Sequence, residues 1–561
     1  MDHPAVTRGQ NFYRLDVNLQ RLLRRRAPGL TARDEERLAE FGAWVGGEVD
    51  AQAEYTDRFA PPVLDAFDRD GETVNRVVHN PRYLAAHRDV YRHGIVGLNY
   101  GPEPRPYLLT FAMGYLLAQS DISIHCPVTL TGAVAYVLDR TAPPAMKDAH
   151  LGDLVRMDGE AKTGGTWATE LQGGSDLGAT TTVARPSGGG FALTGLKWFV
   201  SNVDGDLALV TARPEGAPNG AKGLGLYLVP KRLADGAPNR YRIRRLKDKL
   251  GTRGLATGEI DLDGAEAAEV APPPDGVRLM MEALGFSRIH NAVAAAGVQR
   301  RAYMEALAFA ANRDAFGDRL TAYPMIQDIL LDLVMHLEAS VGLAFEAARA
   351  FDAAQGGEDG AVAWLRVATA LAKYQTAEQA IAAASKAIEV VGGRGYTEEY
   401  ATARLLRDGQ VLTVWEGPPN IQALELLRLM GESYGGFEAF EARLAELLKP
   451  GCGATPQVAD SVADCRAAVM RLREAPEEGP RDARRLLDLT SITLAAALLV
   501  EQAVAEHEAG DARKMLVARR YAATVLTPAR RRWAQGRDDA AREHFSAVAG
   551  YEPVAPAAVA G

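Results

Sequence analysis

Apolar residues recur at helical spacing over most of the chain and at strand spacing over one central block. Up to about residue 155 they fall three and four apart, as in Tyr107–Leu117, and strand signals are few. Between about 160 and 275 the texture changes. Glycine becomes frequent, and three β-type runs appear, Phe191–Ser201, Leu207–Thr211 and Leu224–Val229. Turn clusters such as Ser187-Gly-Gly-Gly190 and Pro218-Asn-Gly220 separate them. This block predicts a small antiparallel β domain, left through Ala271-Pro-Pro-Pro-Asp-Gly276. Helical spacing returns from about 277 to 432, in Ile289–Ala311 and Ile326–Phe351, with abundant alanine, the best helix former. The rest is helical again, with an apolar helix around Leu486–Val500 and a loose tail from Pro553. The expected units are a leader and helical domain (1–159), a β domain (160–276), a helical bundle (277–432) and a C-terminal helical extension (433–561).

The length, 561 residues, suits three or four such units. With 47% hydrophobic and 24% charged residues, the composition excludes wholesale disorder. The formal net charge of -9 repels nucleic acid overall, so DNA binding would need a local basic patch. None of Cys126, Cys452 and Cys465 sits in a CxxC pair, and no Cys/His cluster has zinc spacing, so no metal site is expected. This usage fits a reducing cytoplasm, and the start MDHPAVTRGQ lacks the apolar core of a signal peptide. The uncharged stretches Pro106–Ser120 and Ile122–Leu138 are short for a membrane span and read as buried helices.

Five stretches carry candidate chemistry, each with a plainer alternative. Thr169-Glu-Leu-Gln-Gly-Gly-Ser-Asp176 offers glycines for close backbone approach and hydroxyls for a ligand, or is a glycine-rich turn. Lys197-Trp-Phe-Val-Ser-Asn202 would suit a flat heteroaromatic ring, or packs one aromatic face into a core. Arg313-Asp-Ala-Phe-Gly317, at a helix end, offers a pyrophosphate partner and a stacking ring, or a solvated charge before a capping glycine. Glu389-Val-Val-Gly-Gly-Arg-Gly-Tyr396 is a backbone wall against phosphates, or a helix stop. It runs helix-to-loop, so it is not a Rossmann fingerprint. Finally, Val414-Trp-Glu-Gly-Pro-Pro-Asn420 sets Glu416 in an apolar, proline-stiffened loop. Burial there would raise its pKa and make it a base near neutrality; the alternative is a carboxylate at a helix N-terminus.

Together, in this order and spacing, the stretches resemble the acyl-CoA dehydrogenase family over roughly residues 100 to 432. Thr169–Asp176 is similar to its first signature, although Trp167 and Ala168 depart from the usual pair. The second is matched by Glu389, Gly392, Gly393, Gly395, Tyr396, Glu399, Arg404 and Asp408, with Glu416 eight residues further on. The resemblance implies an α+β fold: an N-terminal helical domain, a central antiparallel β domain and a C-terminal four-helix bundle, here with an extra C-terminal helical domain. It implies FAD as cofactor, an acyl-CoA substrate and electron-transfer flavoprotein or another acceptor. Thr166, Ala168 and Thr169, with Gly174 in the same loop, would line the isoalloxazine ring, and Phe199 and Ser201 would stack on its other side. Ser175 would lie near the substrate's pantetheine chain. Arg313 and Phe316 would hold FAD across a dimer interface, while Glu389, Gly392 and Gly393 form the FAD-binding turn and Asn420 lies close by. Glu416 matches the catalytic base, with Arg288 beside the substrate. The base of a minority branch would fall at Ser287, which cannot serve. Gly285 stands where the family often has aspartate, and Pro418 removes a hydroxyl that normally reaches the flavin.

The length beyond 433, with Asn11–Asp16, His125–Leu130, Gly195–Ser201 and Arg245–Arg253, is similar to the AidB-like branch of that family, the alkylation-response flavoproteins. That resemblance implies homotetramers as dimers of dimers, weak dehydrogenase activity and a basic DNA-binding surface. Residues 440–561 hold 17 Lys/Arg and 17 Asp/Glu, yet 511–537 hold eight basic residues against Asp511 alone. Arg519, Arg520, Arg530, Arg531 and Arg532, with Arg428 and the Arg21–Arg26 leader, are the DNA candidates, or form a solvated helix face.

Overall fold

The computed structural model describes residues 6–27, 29–449 and 455–531. Cys452, Arg532, Arg537 and the tail from Pro553 lie outside the described residues.

The N-terminal unit contains α1 (Val17–Arg26), α2 (Ala32–Trp44), α3 (Asp50–Phe59), α4 (Pro81–Arg92), α5 (Tyr107–Ala118), α6 (Ile122–Thr141) and α7 (Pro144–Leu154). Thr31 and Asp34 cap α2 reciprocally, and Asp121 caps α6 by accepting from the Ser123 and Ile124 amides. Every residue of α5 from Leu108 to Ala118 is buried, as is α6 from Ile122 to Leu138, so both uncharged stretches are core helices. Where strand signals were few, a hairpin nonetheless forms, β1 (Val63–Phe67) on β2 (Thr73–Val78). Its strands are short, and only Leu64 and Val77 pack half-buried against the β domain while Val63, Phe67, Val74 and Val78 stay exposed, which left it without a clear alternating pattern.

The β domain holds β3 (Gly164–Trp167), β4 (Val183–Ser187), β5 (Gly190–Ser201), β6 (Leu207–Pro214), β7 (Gly225–Pro230), β8 (Tyr241–Leu246) and β9 (Thr257–Ala271). Most pairings are antiparallel, but β3 and β4 both run parallel to β6. Because β7 pairs with both β6 and β9, the sheet curls back on itself around Leu193, Val210, Tyr227 and Ile260. The exit is tighter than the sequence suggested: β9 continues through Ala271 and the next helix starts at Asp275, leaving Pro272–Pro274 as the linker.

The bundle is built from α8 (Asp275–Asn312), α9 (Pro324–Gln355), α10 (Ala361–Val391) and α11 (Ala401–Val411), with α12 (Pro419–Leu429) across it. Ala294, Ala295, Ala302, Ala380, Ala384 and Ala387 bring α8 and α10 close, since a methyl group is the smallest side chain that still excludes water. The extension adds α13 (Gly436–Leu447), α14 (Pro456–Glu474), α15 (Gly479–Glu508) and α16 (Arg513–Val525); the apolar α15 is the long buried helix here. Buried charges fasten the units. Glu346 of α9 meets Arg26 of α1 at 3.2 Å, Arg443 of α13 at 2.8 Å and Arg349 at 2.7 Å, and accepts from the Trp364 indole at 3.0 Å. Burial raises its pKa, but the arginines, Arg26 first, outweigh that and hold it down to about 2. Asp50 of α3 is likewise buried against Arg301 at 2.8 Å, Arg8 at 2.9 Å and Arg404 at 3.3 Å.

Candidate functional site

Glu416 occupies the short turn between α11 and α12. Its φ is +58°, and that of Gly417 is +95°. A side chain in the left-handed region costs about 1 kcal/mol, so the neighbours must impose it. They do so through the main chain. Arg288 of α8 donates from Nε to the Glu416 carbonyl at 2.8 Å, and Gln422 of α12 donates to the Glu416 and Gly417 carbonyls at 3.3 and 3.1 Å. Trp415 donates from its indole to Asn291 at 2.5 Å. Pro418 and Pro419 stand at the N-terminus of α12, where a missing amide hydrogen costs nothing.

The Glu416 carboxylate itself is left without a partner: Oε2 is buried and makes no hydrogen bond. Burial therefore pushes its pKa up to about 7, against the pull of Arg288 and Lys373. Arg288, 9% exposed, forms one wall of a cavity of about 460 Å³ between α6, α8, α9, α10 and α12. Phe286, Ile289, Phe351 and Leu365 make it apolar, and Thr369 and Gln422 add polar points. Gly285 also lines it, and a Cβ there would meet nothing within 4 Å, so glycine leaves the cavity wider than an aspartate would.

The β domain presents the second half of the site. Thr166 is half-buried on β3, and the Thr169 carbonyl accepts from the Trp198 amide at 2.9 Å. A Cβ on Gly174 would stand 2.5 Å from Thr169 Oγ1, so this turn needs glycine. Glu170 pins the loop: buried, it pairs with Lys197 at 2.9 Å and accepts from the Thr181 and Thr182 amides at 2.7 and 3.1 Å. Ser175 is exposed at the loop edge. Phe199 shows 60% of its surface, and Ser201 Oγ lies 3.2 Å from Thr257 Oγ1. Lys247 sits over the Trp198 ring at 3.6 Å, and Lys249 donates to the Leu255 carbonyl at 2.7 Å and Thr257 at 3.1 Å. Trp167, by contrast, is a core residue packed edge-on against Tyr241.

The two halves meet around α6. Cys126, Leu130 and Leu255 form a small cluster under Trp415, and the Cys126 thiol feels both Glu416 and Ser201. Burial pushes that thiol up to about 12, so it is an inert filler. Ser201 and the unpartnered Glu416 carboxylate thus both adjoin Cys126, an arrangement that fits a planar cofactor held on the β domain beside a carboxylate. Other sequence candidates lie elsewhere. Arg313 is 25 residues beyond Arg288 on the axis of α8, about 37 Å at 1.5 Å per residue. It and Phe316, 99% exposed at φ +53°, lie on the outer surface. Glu389 is exposed and paired with Lys386, Gly392 and Gly393 are exposed, and Asn420 accepts from Arg484 at 3.4 Å.

Sequence reasoning missed Lys373, Lys249, Cys126, Gln422 and the Glu170–Lys197 pair. Lys373 did carry a signal, a lone charge inside the apolar run Ala370-Leu-Ala-Lys-Tyr374. The basic stripe also differs from its appearance in sequence. Arg520 pairs with Asp332 and Asp328, Arg530 with Asp488, Arg531 with Asp464, Arg513 and Lys514 with Glu338, and Arg428 with Glu425. In the leader, Arg21 meets Glu506 and Asp511. Arg519 is exposed without a described partner.

A curled β domain set between an N-terminal helical unit and a helical bundle is the framework of the acyl-CoA dehydrogenase class, and comparison with known proteins agrees. Family models described as the acyl-CoA dehydrogenase middle domain and C-terminal domain match residues 165–265 and 274–430. A third, the adaptive response protein AidB N-terminal domain, matches residues 2–155. The chain is 32% identical to acyl-CoA dehydrogenase family member 11 of Caenorhabditis elegans, over 78% of this chain and 73% of that one. It is 29% identical to AidB of Escherichia coli (strain K12), over 80% and 83%. The crystal structure of Caenorhabditis elegans ACDH-11 in complex with C11-CoA superposes with a TM-score of 0.87 at 27% identity, over 99% of this chain and 97% of that one. Butyryl-CoA dehydrogenase from Megasphaera elsdenii shares the fold at a TM-score of 0.60 and 22% identity, over 71% of this chain and 97% of that one. The chain thus belongs to the acyl-CoA dehydrogenase family, whose homologues are FAD-dependent, and carries an AidB-type N-terminal domain.

Proposed function

We propose that this protein is a FAD-dependent acyl-CoA dehydrogenase in which Glu416 removes the α-proton of an acyl thioester, giving a trans-2-enoyl-CoA. The observation that carries this reading is the Glu416 carboxylate, its Oε2 buried without a partner, on a turn held by Arg288 and Gln422, both of which line the cavity. Bound FAD would accept the hydride from the β-carbon. The protein's share is positioning and charge. Thr166, Ala168, Thr169, Phe199 and Ser201 would hold the ring system. Phe286, Phe351 and Leu365 would exclude water around the acyl chain. The strained turn fixes Glu416, and its raised pKa lets it take a proton near neutrality. Arg313, Phe316, Glu389, Gly392 and Gly393 would complete the cofactor site across a contact with a second subunit, in a homotetramer of two dimers. Electron-transfer flavoprotein or another acceptor would reoxidise the flavin, in the cytoplasm. A DNA-associated role like that implied by the AidB resemblance has less support, because most of the candidate arginines are already ion-paired.

Anaerobic titration with acyl-CoAs of graded chain length tests the reading. Bleaching of the flavin by at least one of them is expected. A yellow protein that no acyl-CoA bleaches, or a colourless one that takes up no FAD, would end it.

A further inference from the structure

Two side chains belong both to the cavity wall and to the turn that carries Glu416. Arg288 of α8 and Gln422 of α12 line the cavity, and both hold the Glu416 carbonyl, from Nε at 2.8 Å and from Nε2 at 3.3 Å. Two donors on one oxygen make the two heads neighbours. Each head has a second half that the protein leaves unused. Gln422 Nε2 also donates to the Gly417 carbonyl at 3.1 Å, but Oε1 is buried and accepts nothing. Arg288 uses only Nε. Among the described residues its Nη1 and Nη2 make no hydrogen bond, and no carboxylate lies within ion-pair distance of it. Three other arginines of the cavity are engaged through their charged tips. Arg366 and Arg428 share Glu425 at 2.7 and 2.8 Å, and Arg278 meets Asp275 at 3.1 Å and Glu282 at 2.7 Å.

A buried amide oxygen without a donor is costly, and native folds rarely leave one so. Here it stands beside unused guanidinium N–H groups, in a cavity of about 460 Å³ otherwise walled by Phe286, Ile289, Phe351 and Leu365. An apolar chain would answer neither group. A carboxylate would answer Arg288 but bring a second acceptor to Gln422 Oε1. A secondary amide answers both, its C=O accepting from the guanidinium and its N–H donating to Oε1. Room for such a chain is present. Gly285 lies one turn before Arg288 on the same face of α8, and a Cβ there would meet nothing within 4 Å. We propose, on the reading that this cavity takes an acyl thioester, that Arg288 and Gln422 are an amide-recognition pair that grips a secondary amide of the thioester's pantetheine arm. Because the same two side chains hold the Glu416 carbonyl, the grip sets the thioester and the base in one frame.

The test compares decanoyl-pantetheine with its two analogues in which one or the other amide N–H is replaced by an ester oxygen. All three are titrated by calorimetry into the full-length FAD-containing Glu416→Gln protein, which removes turnover. One of the esters should bind about tenfold more weakly than the parent, because it leaves Oε1 without a donor and sets two acceptors together. Adding Gln422→Leu should close that gap to within about twofold, whatever the overall affinity of the variant. The proposal is overturned by two esters that both bind within about twofold of the parent, or by a gap that persists in folded Gln422→Leu. If Gln422→Leu does not fold, the comparison of the three ligands decides by itself. A parent that does not bind overturns both the proposal and the reading of the cavity as a thioester site. The base assignment fails separately: Glu416→Gln that reduces its flavin with decanoyl-CoA at the wild-type rate would end it and leave the amide comparison standing.

Discussion

Replacing Glu416 by glutamine should make the protein a poorer catalyst and a more stable fold, and the stability gain should appear only above a definite pH. The amide is close in shape to the carboxyl group but takes no proton. Loss of a general base typically lowers the rate by about 10² to 10⁴. For stability, the folded carboxyl has its pKa near 7 against an ordinary 4.5, because burial disfavours its charged form. Below about 4.5 the group is protonated in both states and contributes no difference. As pH rises from there through 7, the unfolded chain releases the proton first, and the fold loses stability that glutamine does not lose. A gap of about 2.5 units is about 3 kcal/mol at 1.36 per unit, and about 2 kcal/mol once the partial exposure of the residue is allowed for. Urea unfolding of both proteins at pH 4.5, 6, 7 and 8 measures the difference, and stopped-flow flavin reduction measures the rate. Parallel stability curves across that range would refute the burial argument, and an unchanged rate would refute the assignment of the base.

Glu346→Gln should cost about 3–5 kcal/mol in urea unfolding, because it strands Arg26, Arg349 and Arg443 without their buried counter-charge. Phe316→Ala should leave subunit stability within about 0.5 kcal/mol, since the ring touches almost nothing in its own chain. Its flavin absorbance per protein and its mass by light scattering should fall if the ring serves a cofactor across a subunit contact. Any DNA binding should show a shallow salt dependence, with a log–log slope near -1 rather than the value of about -3 or steeper that three free arginines would give. Fluorescence anisotropy on one random duplex from 20 to 200 mM salt checks this, and a steep slope would mean that the Arg520–Asp332 and Arg530–Asp488 pairs open for phosphate.

The order of domains was legible because each segment has one dominant apolar period, and the β runs matched β5, β6 and β7 closely. The hairpin β1–β2 escaped because only Leu64 and Val77 are half-buried against the β domain while apolar Val63, Phe67, Val74 and Val78 stay exposed, so its apolar residues do not alternate with polar ones. The loop around Glu416 was legible as proline-stiffened from Pro418 and Pro419, but the left-handed φ of Glu416 was not. The pull that opposes burial at its carboxyl was not legible, because Arg288 and Lys373 arrive from helices 128 and 43 positions away in the chain. Arg313 and Phe316 were recognisable as motif residues, but their distance from Arg288 along one helix emerges only once α8 is seen to run unbroken from Asp275 to Asn312.

Charge shows the limit of sequence reading most sharply. Residues 511–537 look strongly basic because counting along the chain compares each arginine only with its chain neighbours. In the fold the relevant neighbours come from α9, α14 and α15. Asp328, Asp332 and Glu338 line the edge of α9 that receives α16, while Asp488 of α15 and Asp464 of α14 receive Arg530 and Arg531. The described basic residues of this segment other than Arg519 thus form the complementary half of an internal interface. The same holds for Arg21, which joins α1 to the end of α15 through Glu506. These pairs are mostly part-exposed, so each contributes up to about 1 kcal/mol. Their stronger effect is on geometry: they fix the C-terminal helices against α9, whose far end carries Phe351 into the wall of the cavity beside Arg288. The extension therefore bears on the site by holding one of the cavity's walls.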